Sequence, residues 1–180
     1  MKIHVMKYTL LLSTIVLLLT GCTSSMMERQ GTKAYLEKDY ATAKMKYDEA
    51  IVEGNADAMY HLAVMYAEGQ GVQQDYAKAA SLLEQAVAQE QEDAQLMLGL
   101  FNIYGDGVPK DPAKGAELIK ASAVNGNDTA MYYLGNLYAA GLGVQKDLTQ
   151  ALHWMEQAKK AGFPVKDELL TKDGLAALYQ

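Results

Sequence analysis

The sequence predicts an all-α fold, a right-handed α-solenoid of antiparallel helix pairs. Three observations lead there. The stretches EGQGVQQD at Glu68–Asp75, YGDGVPKD at Tyr104–Asp111 and AGLGVQKD at Ala140–Asp147 return at a step of 36 residues, and self-similarity at roughly 20 to 50 residues marks a stacked array. Apolar residues between these stretches recur at three- and four-residue spacing, with no period of two. Each glycine-rich stretch ends on an aspartate that immediately precedes a second periodic run, which is how helices start.

The N-terminal segment comes first. Lys2 and Lys7 precede an apolar run from Tyr8 to Thr20, and the run closes on Leu19-Thr20-Gly21-Cys22. A charged head, a short apolar body and a small-residue end are the anatomy of a signal peptide, read here as residues 1–21. The run is shorter than the roughly 20 apolar residues a spanning helix needs. Met6 would serve as a start equally well. Leu-Thr-Gly-Cys resembles the lipobox of bacterial lipoproteins, which implies acylation of Cys22 and a short tether over 22–27. An ordinary secretory signal is the alternative, and it leaves unexplained why the chain's only cysteine stands there. Acyl chains on Cys22 would hold the protein firmly on a bilayer. Thr23 in place of an aspartate resembles lipoproteins sent to the outer membrane, implying a periplasm-facing site.

Residues 28–55 read as a helix pair. A first helix over roughly Ser25 to Glu37 meets a turn at Lys38-Asp39. Tyr40, Ala43, Tyr47, Ala50 and Gly54 then lie one step of 36 before Tyr76, Ala79, Leu83, Ala86 and Glu90.

Three full units follow, 56–91, 92–127 and 128–163. In the first helix of each, helix A, the columns are Ala58, Ala94, Ala130; Leu62, Leu98, Leu134; the small residues Ala63, Gly99, Gly135; and Tyr66, Asn102, Tyr138. Small residues at that third column let two helices approach closely. Past the double glycine come Val72, Val108, Val144 and the N-cap column Asp75, Asp111, Asp147, with Pro112 at a first-turn position that tolerates it. Helix B carries Ala79, Gly115, Ala151; Leu82, Leu118, Trp154; Leu83, Ile119, Met155; and Ala86, Ser122, Ala158. Gly126 and Gly162 stand where a C-terminal cap is expected, and Glu90 holds that place in the first unit. Residues 164–180 read as a capping helix: Leu170 continues the leucine column, while Lys166 replaces the alanine and no glycine loop follows.

The double-glycine loops raise the question of phosphate binding. A phosphate at the start of helix B would meet the carboxylate of Asp75, Asp111 or Asp147 at the same helix end. The loops also lack the lysine and hydroxyl of a P-loop and any preceding strand. They read as turns.

Composition narrows function further. Removing residues 1–21 takes two lysines and no acids, which turns the formal charge of −6 into −8. An acidic chain with Arg29 as its single arginine is a poor match for a nucleic-acid backbone. His61 and His153 fall in different units with no cysteine to join them, so no metal site and no cofactor is expected. Ser81 and Ser122 lie on helices without a nucleophile elbow. Asp106 and Asp111 lack the oxygen spacing of a calcium loop. No enzyme is read here.

The pattern A-x3-L-[GA]-x2-Y-x2-G-x-G-V-x2-D-x3-A, with Asn102 replacing tyrosine in the middle unit, resembles the Sel1-like repeat, a relative of the tetratricopeptide repeat. The resemblance covers Ala56 to Phe163. It implies a protein-protein interaction module or scaffold whose helix A residues line a concave groove. Carried over by register, the groove positions are Tyr60, Val64 and Glu68 in the first unit, Leu96, Leu100, Ile103 and Tyr104 in the second, and Tyr132 and Asn136 in the third. The expected partner is a protein or peptide; Leu100 and Ile103 packing on a neighbouring helix is the other reading of those two. Two further roles are implied by relatives: an immunity protein that neutralises a toxic effector in the periplasm, and β-lactam binding or hydrolysis. For the latter the chain lacks the disulfide pairs and any Ser-x-x-Lys motif.

Overall fold

The computed structural model describes residues 23–179, and every described regular element is helical. The expected signal peptide over 1–21, the expected lipidation site Cys22, and Gln180 lie outside the described residues. Helix α1 runs over residues 23–36. It is followed by α2 (Tyr40–Val52), α3 (Ala56–Glu68), α4 (Tyr76–Val87), α5 (Glu92–Tyr104), α6 (Pro112–Val124), α7 (Asp128–Ala140), α8 (Leu148–Ala161), a 3-10 turn at Asp167–Leu169 and α9 (Lys172–Leu178). Residues 23–27, within the expected tether over 22–27, are helical. The chain divides into two compact units, one ending at Gln74 and one beginning at Asp75.

Helix starts follow the aspartates. The side chains of Asp39, Asp75, Asp111 and Asp147 accept from the first-turn N–H groups of Thr42, Lys78, Lys114, and both Thr149 and Gln150. Each satisfies an orphan donor, an effect of about 1 kcal/mol. A second cap column was not read from the sequence: Asn55, Gln91 and Asn127 accept from the N–H of Ala58, Ala94 and Ala130. Helices α3, α5 and α7 stop at Gly69, Gly105 and Gly141, all left-handed.

In the unit ending at Gln74, Ala43, Tyr47, Ala50, Ala58, Leu62 and Ala63 are buried. Gly31 makes room for Tyr47: a Cβ there would stand 2.7 Å from the ring. In the unit beginning at Asp75 the predicted columns are the core. Ala94, Ala130, Leu98, Leu134, Leu83, Ile119, Met155 and Ala158 are all at most 3% exposed. The neighbouring column Leu82, Leu118, Trp154 is only half-buried, so the helix B stripe is narrower than expected.

Helices α5 and α6 approach closest at two glycines. A Cβ on Gly99 would lie 2.9 Å from the Gly115 carbonyl oxygen, and one on Gly115 would lie 2.6 Å from the Gly99 oxygen. Two glycines inside helices cost about 1 kcal/mol each, a cost offset by backbone-to-backbone packing that any side chain would prevent. Ser122 takes the alanine place in helix B with no exposure. Its hydroxyl donates to the Glu92 carbonyl at 2.7 Å, which satisfies a group that burial would otherwise penalise.

The C-terminal part departs from the expected single helix. Leu170 falls between the 3-10 turn and α9, so it is not the next member of the helix A leucine column. Leu175, fully buried, anchors α9, and with Val165 it joins Ala151, Met155 and Ala158 in one core.

Candidate partner-binding face

Helix A positions that packing does not consume form the candidate face of each compact unit. In the unit ending at Gln74, Tyr35 of α1, Tyr47 of α2, and Tyr60, His61 and Val64 of α3 enclose a cavity of about 150 Å³. Both positions expected there, Tyr60 and Val64, line it. Tyr35, Tyr47 and His61 were not foreseen, because they come from three helices and share no sequence column.

Tyr47 is the floor, 1% exposed, with its ring stacked on His61 at 5.4 Å. Tyr60 lies tilted against the other side of the cluster, 5.4 Å from His61. Thr32 donates to Glu28 at 2.8 Å, so its only hydrogen is used and the Tyr47 phenol, 3.2 Å away, donates to Thr32. His61 Nε2 stands 3.4 Å from the Glu28 carboxylate. At the C-terminal end of α3, exposed Glu68 stands near the Tyr35 phenol. Burial, then the Glu68 charge, holds that phenol above its ordinary range. The lining is thus aromatic and aliphatic, and two of its residues adjoin carboxylates, His61 beside Glu28 and Tyr35 beside Glu68.

In the unit beginning at Asp75 the expected positions separate. Leu96 and Ile103, 9% and 3% exposed, belong to the core with Ala116, Ile119 and Leu134. They are withdrawn from the face: Gly115 has no side chain, and Ile103 fills that space from across the helix pair. Leu100 is half-buried on the same core. Tyr104 is 65% exposed. Asn102, in the tyrosine column, is buried and donates to the Leu98 carbonyl at 2.8 Å.

Tyr132 and Asn136 meet the chain's own C-terminal residues. Tyr132 stacks on Phe163 with ring centres 4.7 Å apart, and Asn136 accepts from the Tyr179 phenol at 2.5 Å. Burial, then the adjacent Tyr132, raises the Tyr179 phenol above its usual range. His153 is exposed and set edge-on to Trp154. Among the described residues no group of three or more His, Cys, Asp or Glu side chains is placed to hold a metal ion. Among them, too, no helix is long and apolar enough to cross a membrane.

Stacked helix pairs with capped starts, left-handed glycine stops and a 36-residue step define a helical-repeat solenoid protein of the tetratricopeptide-like class. The Sel1 repeat model matches residues 56–90, 92–127 and 128–163, more than half of the chain. The chain belongs to the Sel1-repeat family, whose fold is a protein-interaction scaffold. It is similar to the crystal structure of a Sel1 repeat protein from Oxalobacter formigenes, with 26% identity, TM-score 0.71, and 77% of this chain and 58% of that one covered. It is similar also to c5321, a protective antigen of uropathogenic Escherichia coli with the same repeat fold, at 29% identity and TM-score 0.71. There the match covers 80% of this chain and 31% of the other. A third likeness is to Helicobacter pylori cysteine rich protein B, at 25% identity and TM-score 0.53, covering 70% of this chain and 93% of that one. No curated protein sequence matches the chain. The chain thus spans less than two thirds of the first two structures' lengths.

Proposed function

We propose that the protein is a membrane-tethered interaction module that binds a partner protein through side chains on its A helices. The observation that carries this reading is the aromatic-walled cavity to which Tyr60 and Val64 contribute. Exposed Tyr104 supports it on α5, since aromatic residues with one wet end suit interfaces. Leu100 adds apolar surface next to Tyr104. The Sel1-repeat fold is not typically enzymatic, and the reading needs binding alone.

Photo-crosslinking in intact cells tests it. A crosslinker at Tyr60 or Tyr104 is expected to capture one discrete partner, while one at Lys120, exposed on α6, captures none. Tyr104→Glu is expected to abolish the adduct at unchanged stability, with Leu100→Glu as a second variant. Adducts from Lys120 alone, or a partner retained by both folded variants, would refute the assignment.

The tether is the proposed acyl group on Cys22, which places the repeats at a periplasmic membrane surface. The reading rests on the lipobox-like residues Leu19 to Cys22. Cys22→Ser is expected to move the protein from the membrane fraction to the soluble one and to end incorporation of a labelled fatty acid.

A further inference from the structure

We propose that the cavity of α1, α2 and α3 is an anchor site for one cationic side chain, lysine or arginine, presented by the partner protein. The inference rests on the interaction-module reading and names what the partner must carry. Size comes first. About 150 Å³ is below the roughly 300–1,000 Å³ of small-molecule and cofactor sites, and it suits a single long side chain.

The walls select the charge. Tyr35 and Tyr60 supply aromatic rings, whose faces attract a cation through their quadrupole, and Tyr47, buried and stacked on His61, closes the floor. Glu28, whose side chain is 15% exposed, is held by Thr32 and faces His61. Glu68 stands near the Tyr35 phenol and remains exposed. An incoming ammonium or guanidinium would thus meet aromatic rings in the cavity and the carboxylates that adjoin His61 and Tyr35. Among the described residues the lining contains no lysine or arginine, and its histidine, His61, stands against the Glu28 carboxylate. The excess of 22 acids over 16 bases adds a long-range field that favours a basic partner. Val64 gives the aliphatic stem an apolar surface, as long cationic side chains require.

The test uses the purified full chain in detergent and the amides of N-acetyl-lysine, N-acetyl-arginine and N-acetyl-norleucine, followed by the NMR signals of labelled tyrosine rings. The cationic amides are expected to shift Tyr35 and Tyr60 saturably, and to bind at least about tenfold more tightly than uncharged norleucine. Tyr60→Ala is expected to weaken them about five- to tenfold, and Glu68→Gln about threefold. Equal binding of norleucine would overturn the proposal in favour of a purely apolar slot. Cation binding indifferent to both substitutions would reduce it to diffuse attraction by net charge. Choline bound more tightly than either amide would overturn it in favour of a lipid headgroup. The amides need no partner, so their failure leaves capture through Tyr104 standing, and loss of that capture leaves the amide result standing.

Discussion

Gly143 rests directly on the backbone carbonyl of Pro112, so closely that a Cβ on the glycine would overlap the oxygen. Gly107 lies the same way on Tyr76, and Gly71 on the Cβ of Tyr40. The separation is 31 residues each time. The second glycine of each loop therefore seats that loop on the first residue of the preceding B helix. Its left-handed turn and its lack of a side chain are both used, and a bound phosphate is not needed to explain it.

Gly143→Ala is expected to destabilise the protein by about 2–4 kcal/mol, combining a left-handed backbone with overlap against a carbonyl that cannot move aside. Gly126→Ala isolates the first contribution. Its φ is +106° with nothing within 4 Å of the added methyl, so about 1–2 kcal/mol is expected. Urea unfolding of the two variants measures the difference, and equal losses would remove the seating argument.

Glu90 occupies the column of Gly54, Gly126 and Gly162 with φ of +61°. Glu90→Gly relieves a left-handed side chain at some cost in unfolded-state entropy. A net gain of up to about 1 kcal/mol is expected, read as a higher urea midpoint at unchanged slope.

Asn127 caps α7 through Ala130 N–H at 2.8 Å and donates to Asp93 at the start of α5 at 2.7 Å. Asn127→Ala loses both, about 2 kcal/mol in all. Asn127→Asp keeps the cap but sets two carboxylates together. Its loss is expected to shrink with added salt, whereas the loss in Asn127→Ala is not. A salt series of unfolding curves separates them.

Asp39 gives a pH dependence. Its carboxyl is held below the ordinary range by hydrogen bonds from the Thr42 hydroxyl and the Thr42 N–H. A depressed folded value means that the stabilisation is complete above the ordinary carboxylate range, about pH 4, and is lost as pH falls through the lowered value. Asp39→Asn keeps a capping oxygen without the titration. Its stability is expected to fall less steeply than the native protein's below pH 4 in acid unfolding; superimposable curves would count against the cap.

Among the described residues the sequence by itself determined the repeated helix pairs, the aspartate caps and most of the buried columns. Caps, glycine stops and the three- and four-residue apolar spacing act within a turn or two, so Asp75, Asp111, Asp147, Leu98 and Leu134 declare their roles locally. Only the tertiary structure decided which helix A residues remain free. Ile103 and Tyr104 are adjacent in sequence, yet one fills the space left by Gly115 and the other stays in solvent. Tyr132 and Asn136 are met by Phe163 and Tyr179, which lie tens of residues away in sequence. The cavity needs Tyr35, Tyr47 and Tyr60 from three helices at once. Such meetings depend on how far two backbones approach, which is set by packing across the helix pairs and leaves no periodic mark in the chain.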